Sequence, residues 1–175
     1  MIDRIHPDTD KDGLTTVNAG RLFSGKDGLF GGTPRAVMAI LKHYGISVEG
    51  KHAVIIGRSN VIGKPVAMML MQKNATVTIC HSRTKNLTEI TQQADILVTA
   101  VGKAGCVTAD MVKPGAIVLD VGINRIHGKT VGDVDYENVF PVASAVTPVP
   151  GGVGSVTTTM IIESIVKAGE HAAGI

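Results

Sequence analysis

Two glycines six positions apart, Gly57 and Gly63, with Arg58 and Ser59 directly after the first, are the residues of this 175-residue chain whose types and spacing best suit chemistry. They sit inside Lys51 to Cys80, which reads as strand, glycine turn, helix and strand. Ala53–Ile56 is a short β-branched run that suits a strand buried on both faces. Pro65 stands in the first turn of the following helix, Val66–Met71 is apolar on nearly every side, and Thr76–Ile79 is a second strand. A strand that enters a helix through glycine leaves N–H groups at the helix start. With the helix dipole, they suit an anion such as a pyrophosphate. The spacing is G-x5-G and not the dinucleotide fingerprint G-x-G-x-x-G, so a crossover whose glycines only ease packing accounts for it equally well. The end of the second strand separates cofactor types. An NAD site places an Asp or Glu roughly 20 residues past the first glycine, on the ribose. Here that place holds Cys80-His81-Ser82-Arg83, with no carboxylate. Guanidinium groups and hydroxyls suit a 2′-phosphate, so the expected cofactor is NADP rather than NAD. Taken singly, Arg58 or Arg83 also reads as a solvated loop charge.

Other polar residues invite weaker readings. Asp8, Asp10 and Asp12 alternate as in a calcium loop, but the glycine and distal Glu of such a loop are misplaced, and no metal is expected. Asp120 ends an apolar run, where a buried, hydrogen-bonded acid is commoner than a catalytic one. Thr147–Gly154, TPVPGGVG, opens the last helix and makes a second place of close ligand approach. Cys80 and Cys106 have no metal-ligand spacing and fit a reducing compartment.

The elements needed to position these groups alternate. Residues 1–32 are rich in turn signals, with little periodicity, and are expected to lie irregularly against the rest of the chain or against a partner. A domain then covers 33–175. Thr33 as N-cap and Pro34 as first residue open a helix with the stripe Val37, Ile40, Leu41 and Tyr44, closed by Gly45. After the central unit come a short helix over 84–94, strands over 95–101 and 116–122, and a loop or hairpin around His127-Gly128. A helix over 136–139, a strand over 143–146 and a helix over 156–168 complete the pattern. The pattern predicts an α/β, Rossmann-like, doubly wound parallel sheet with its ligand at the carboxyl ends of the strands. Composition agrees: 44% hydrophobic residues, 21 glycines and 3% aromatics. A net charge of +2, scattered, implies no nucleic-acid or membrane surface. No apolar run reaches the ~20 residues of a span and the N-terminus is no signal peptide, so a soluble, cytoplasmic protein is expected.

Six strings in order, IHPDTDKDG, GRSNVIGKP, NATVTICHSRT, DVGIN, VGDVD and TPVPGGVG, carry a resemblance over essentially the whole chain. It resembles the bifunctional methylenetetrahydrofolate dehydrogenase/methenyltetrahydrofolate cyclohydrolase family. The resemblance implies an NADP-type domain beside a smaller N-terminal domain, with folate in the cleft between them and dimers formed through this domain. It implies hydride transfer from methylenetetrahydrofolate to the nicotinamide, then hydrolysis to 10-formyltetrahydrofolate. By the same resemblance Gly57, Arg58 and Ser59 contact the cofactor, Ser82 the 2′-phosphate, and Ile123 the nicotinamide end. Asp12 contacts folate, and Gly151, Gly152 and Gly154 line the cleft.

The departures bear on activity. The family's catalytic Tyr-x-x-x-Lys is absent: Val48 stands four residues after Tyr44, and Phe140 four after Tyr136. The Q-L-P-L-P segment is also missing. Pro-Cys-Thr-Pro becomes Gly31–Pro34, His-Pro becomes Thr15-Thr16, and the proline after GGVG becomes Ser155. Three readings stand: the cofactor half of a folate dehydrogenase whose other half is elsewhere, an inactive NADP-binding module, or a small reductase with another substrate. The absent lysine favours the module for the chain acting alone, because acid–base chemistry and folate orientation both depend on it. The retained Asp12 and TPVPGGVG favour the first.

Overall fold

A computed structural model describes residues 2–173. Its centre is a sheet of β1 (His52–Ile56), β2 (Thr76–Cys80), β3 (Ile96–Thr99), β4 (Ile117–Asp120) and β7 (Ala145–Val146), in the order β2-β1-β3-β4-β7 with every pair parallel. β5 (Asn124–Ile126) and β6 (Lys129–Val131) form a separate antiparallel hairpin. The helices are α1 (Thr16–Phe23), α2 (Gly32–His43), α3 (Gly63–Met71), α4 (Leu87–Thr91), α5 (Tyr136–Val139) and α6 (Val153–Ala173).

Strand alternation builds a core on each face. Ala53 and Ile55 of β1 point into one with Val37 and Leu41 of α2, Val66 and Leu70 of α3, and Val153 of α6. Val54 and Ile56 point into the other with Leu97, Val107, Val118 and Val139. Burial on both sides explains why β1 and β3 read as unbroken apolar runs. The chain runs outward from β1 to β2 and returns past β1 to β3. The strand order therefore switches beside β1, and a crevice opens at the carboxyl ends of β1 and β3.

Several local expectations are corrected. α2 has Gly31 as N-cap, and Pro34 is its third residue. Thr33 lies inside the first turn, where its hydroxyl meets the Thr157 hydroxyl of α6 at 3.4 Å. The shift follows from packing: a Cβ on Gly32 would come within 2.8 Å of Ile161. At the other end, Gly45 at φ 65° closes α2, with its N–H on Lys42 O and that of Ile46 on Leu41 O. The helix after β2 covers only Leu87–Thr91, the last strand only Ala145–Val146, and the last helix begins at Val153.

Residues 2–32 are more ordered than their turn signals suggest. Thr15 caps α1, and Asp10 accepts from the N–H groups of Leu14 at 3.1 Å and Thr15 at 2.7 Å. Asn18 donates to Asp10 at 3.1 Å and to Pro7 O at 2.7 Å. The helix is pinned by buried polar groups, with Leu22 beside Asn18 on its buried side. It packs on α3, with Gln72 donating to Leu22 O.

Candidate functional site

The tips of β1 and β2 stand side by side, because Ile56 pairs with Cys80 and the Gly57 N–H continues the ladder to Cys80 O at 2.9 Å. Arg58-Ser59 and Ser82-Arg83 therefore leave the sheet from neighbouring points, all four exposed. Neither arginine makes an ion pair or side-chain hydrogen bond among the described residues. The β2 turn is held by His81 and Thr84, whose backbone and hydroxyl groups bond reciprocally at 2.8 Å. Both glycines of the β1–α3 crossover are required by packing. Gly57 has φ 129°, and a Cβ there would lie 2.5 Å from Ala100 O. A Cβ on Gly63 would lie 2.2 Å from Gly57 O.

The expectation of free N–H groups at the helix start is corrected. The Ser59 hydroxyl accepts from Ile62 at 3.0 Å and Gly63 at 3.4 Å, the Lys64 N–H goes to Ser59 O at 3.1 Å, and Pro65 has none. Ser59 thus spends its acceptor on the helix and keeps its O–H as a donor. The dipole of α3 still points into the crevice. At this crossover the amides without hydrogen bonds among the described residues belong to the preceding turn, Arg58 to Val61.

The tips of β3 and β4 are built differently, around two buried carboxylates. Asp120, 3% exposed, accepts from the N–H groups of Gly122 at 2.9 Å, Asp133 at 3.0 Å and Val134 at 2.9 Å. The structural role expected for this residue is borne by those bonds. Burial pushes its carboxyl above the ordinary aspartate range, against the opposing pull of the three amides. Asp133, fully buried, reads in sequence only as part of a turn. The signal that could have found it is the pair of glycines opposite: a Cβ on Gly122 would lie 2.1 Å from Asp133 Cγ, and one on Gly132 1.8 Å from Asp120 Oδ2.

Above these carboxylates, Ala100, Gly102, Gly122, Ile123, Gly154 and Thr157 border a cavity of about 370 Å³. Ile123 is 68% exposed and stands over it. Gly151, Gly152 and Gly154 share an adjoining hollow of about 160 Å³ with Asp120 and Ile123. The structure therefore brings Ile123 and the three glycines together across the crevice from Gly57. Asp12 is not among the lining residues of either cavity; its carbonyl lies against Gly31 at the start of α2, whose Thr33 does line the larger one. Among the described residues no cluster of His, Cys, Asp or Glu could hold a metal ion, and no helix is long and apolar enough to cross a membrane.

A parallel, doubly wound sheet with a glycine turn at its switch point and cavities at its carboxyl edge defines a dinucleotide-binding class of domain. Residues 31–173 match the family described as tetrahydrofolate dehydrogenase/cyclohydrolase, NAD(P)-binding domain, and the chain belongs to it. The bifunctional protein FolD of Lactobacillus helveticus (strain DPC 4571) is 56% identical over 167 residues, covering 95% of this chain and 59% of that protein. The crystal structure of the bifunctional enzyme FolD from Campylobacter jejuni superimposes with a TM-score of 0.96 at 47% identity, over 98% of this chain and 61% of the other. The Trypanosoma brucei FolD, solved with NADP cofactor and inhibitor, gives 0.92 at 35% identity, over 98% and 62%. The chain thus spans about three fifths of the length of these relatives.

Proposed function

We propose that this chain is the NADP-binding part of a methylenetetrahydrofolate dehydrogenase/methenyltetrahydrofolate cyclohydrolase. One observation carries the choice of NADP: the Ile56–Cys80 register sets two exposed arginines and two hydroxyls at adjacent strand tips with no acidic side chain among them. Arg58, with its planar fork, and Ser82 hold the 2′-phosphate. Gly57 and Ser59 lie under the adenosine side of the crevice, and Ile123 meets the nicotinamide. Folate approaches from the side of Gly151, Gly152 and Gly154, with Asp12 reaching it from the N-terminal segment. The Trypanosoma brucei relative, solved with NADP, supports this reading at 35% identity.

The chemistry of the pair of reactions is oxidation of 5,10-methylenetetrahydrofolate to the methenyl form and its hydrolysis to 10-formyltetrahydrofolate. This chain supplies the hydride acceptor's seat. No residue of it takes the place of the lysine in proton handling. The part that relatives possess beyond this chain must provide that group. α6 offers a surface for such a part: Ile162, Ile165 and Val166 stand exposed on a helix whose other side is seated on α2. The absent Tyr-x-x-x-Lys also supports a second reading, a module that holds NADP and does no folate chemistry. The homodimer belongs to the first reading, and sedimentation of the purified chain tests it.

The deciding experiment titrates the chain with NADPH and NADH by nicotinamide fluorescence, then supplies methylenetetrahydrofolate and NADP and monitors absorbance. Saturable binding that prefers NADPH, without turnover, is expected. Absence of NADPH binding overturns the cofactor assignment, and robust turnover by the chain alone overturns the need for the lysine.

A further inference from the structure

We infer that Asp133 is a positioning residue that presets the wall of the cavity receiving the nicotinamide, an inference that rests on the NADP reading above. Its carboxylate gathers three consecutive amides of the turn after β3: Oδ2 accepts from Val101 at 2.7 Å and Gly102 at 3.1 Å, and Oδ1 from Lys103 at 2.8 Å. Successive N–H groups aimed at one point make a nest of the kind that binds anions, here filled by the protein's own side chain. Oδ1 also accepts from Asn124 Nδ2 at 2.9 Å, in the β5–β6 hairpin, and the Thr99 hydroxyl of β3 lies 3.4 Å from Oδ2.

The two walls so joined border the same cavity. Gly102 belongs to the β3 turn, held directly, while Gly122 rests on the carboxylate and Ile123 adjoins the tethered Asn124. One buried group therefore sets the separation of two backbone segments that come from different strands. Asp133 is fully buried beneath Gly122 and is not a lining residue of the cavity, so it acts through the segments it holds. Backbone walls are otherwise free to drift, and hydride transfer tolerates little misplacement of the ring.

Asp133→Asn tests this in the full chain, because the amide puts an N–H donor where the carboxylate now accepts from amides. The ligands are NADPH and adenosine 2′,5′-bisphosphate, the half of the cofactor that reaches only the β1–β2 tips. The expected result is a loss of about tenfold or more in NADPH affinity, with bisphosphate affinity changed by less than about twofold. Equal losses for both ligands would mean a general structural role, and unchanged NADPH affinity in folded protein would mean no role; either overturns the inference. If that variant does not fold, Asn124→Ala decides. It leaves the three amide bonds and removes the Asn124 bonds to Asp133 Oδ1 and to Gly132 O, and it is expected to weaken NADPH selectively by a smaller factor. No effect of Asn124→Ala on NADPH overturns the inference. Wild-type chain that binds neither ligand sinks the NADP reading itself, a failure visible before any substitution is made.

Discussion

On the NADP reading proposed above, the two ends of the crevice solve recognition by opposite means. At the β1–β2 tips the groups offered to a ligand are exposed side chains, on short turns braced by Ser59 bonding the α3 start and by His81 bonding Thr84. At the β3–β4 tips the groups offered are backbone and small side chains, fixed from beneath by Asp120 and Asp133. The difference matches the two chemistries. A phosphate is recognised by charge, which flexible side chains supply with little preorganisation. A ring that must meet a hydride donor is recognised by position, which a buried network supplies and a solvated loop does not. The exposed side chains of the first end should tolerate substitution without unfolding, and the buried carboxylates of the second should not.

The largest effect is expected from Asp120→Ala. It strips three buried N–H groups of their acceptor, a cost on the order of 3 kcal/mol or more. Urea denaturation should show that loss, while Ser82→Ala at the exposed tip should move stability by less than about 0.5 kcal/mol. Comparable losses from the two would break the contrast between the ends.

A second, smaller effect separates affinity from stability. Arg58→Ala removes a guanidinium that makes no ion pair or hydrogen bond among the described residues, so the midpoint of thermal unfolding should not move. Affinity for NADPH should fall about tenfold, close to 1.4 kcal/mol, and affinity for NADH hardly at all. The NADPH advantage of the wild type should also shrink as salt is raised, because the charges involved are exposed. Equal losses for both cofactors would show that Arg58 does not read the 2′-phosphate.

How far these ends were legible beforehand obeys the same division. The β1–β2 end depends on residues close in sequence, and Gly57, Arg58, Ser59 and the 80–83 turn could be placed from strand periodicity alone. The hairpin was visible for a similar reason, since His127 at φ 48° and Gly128 at φ 80° make a local turn. Even there one error came from a local motif passed over: Ser59, three residues before Ile62, is a capping hydroxyl, and it consumes donors expected to stay free. Thr33 was misplaced because the start of α2 is set by the approach of α6, which no local pattern shows. α1 escapes the apolar pattern because a polar residue, Asn18, shares its buried side with Leu22 and its start rests on the Thr15 cap. Asp133 lies deepest in shadow. Its three amide partners are 30 to 32 residues back along the chain, and its meaning exists only once the turn after β3 meets the segment that follows β6.

The smallest effect, and the most direct probe of buried charge at the second end, is the pH dependence of stability. Asp10 serves as a control, being a buried carboxylate that also accepts amides but lies in the N-terminal segment. Burial raises its pKa, yet the bonds from Thr15, Asn18 and Leu14 together outweigh that, and it ends below the ordinary 3.8. Asp120 ends above 3.8, because burial outweighs its three amides and the charge of Asp133 adds to it. The signs are therefore opposite. Between pH 3.8 and its higher folded value, the folded chain holds a proton on Asp120 that the unfolded chain has released, so this group's favourable contribution is full below 3.8 and is lost as pH rises through the folded value. Asp10 contributes fully above 3.8 and loses that contribution as pH falls through its lower folded value. Unfolding free energies of the wild type, Asp120→Asn and Asp10→Asn, measured in urea across acidic pH, should show the two gaps moving in opposite directions. On acidification the gap to Asp120→Asn widens, and the gap to Asp10→Asn narrows, each by no more than about 1.4 kcal/mol per pH unit. If the gap to Asp120→Asn narrowed instead, the carboxylate beneath the β3–β4 cavity would be one the fold prefers charged, and the amides rather than burial would govern that end.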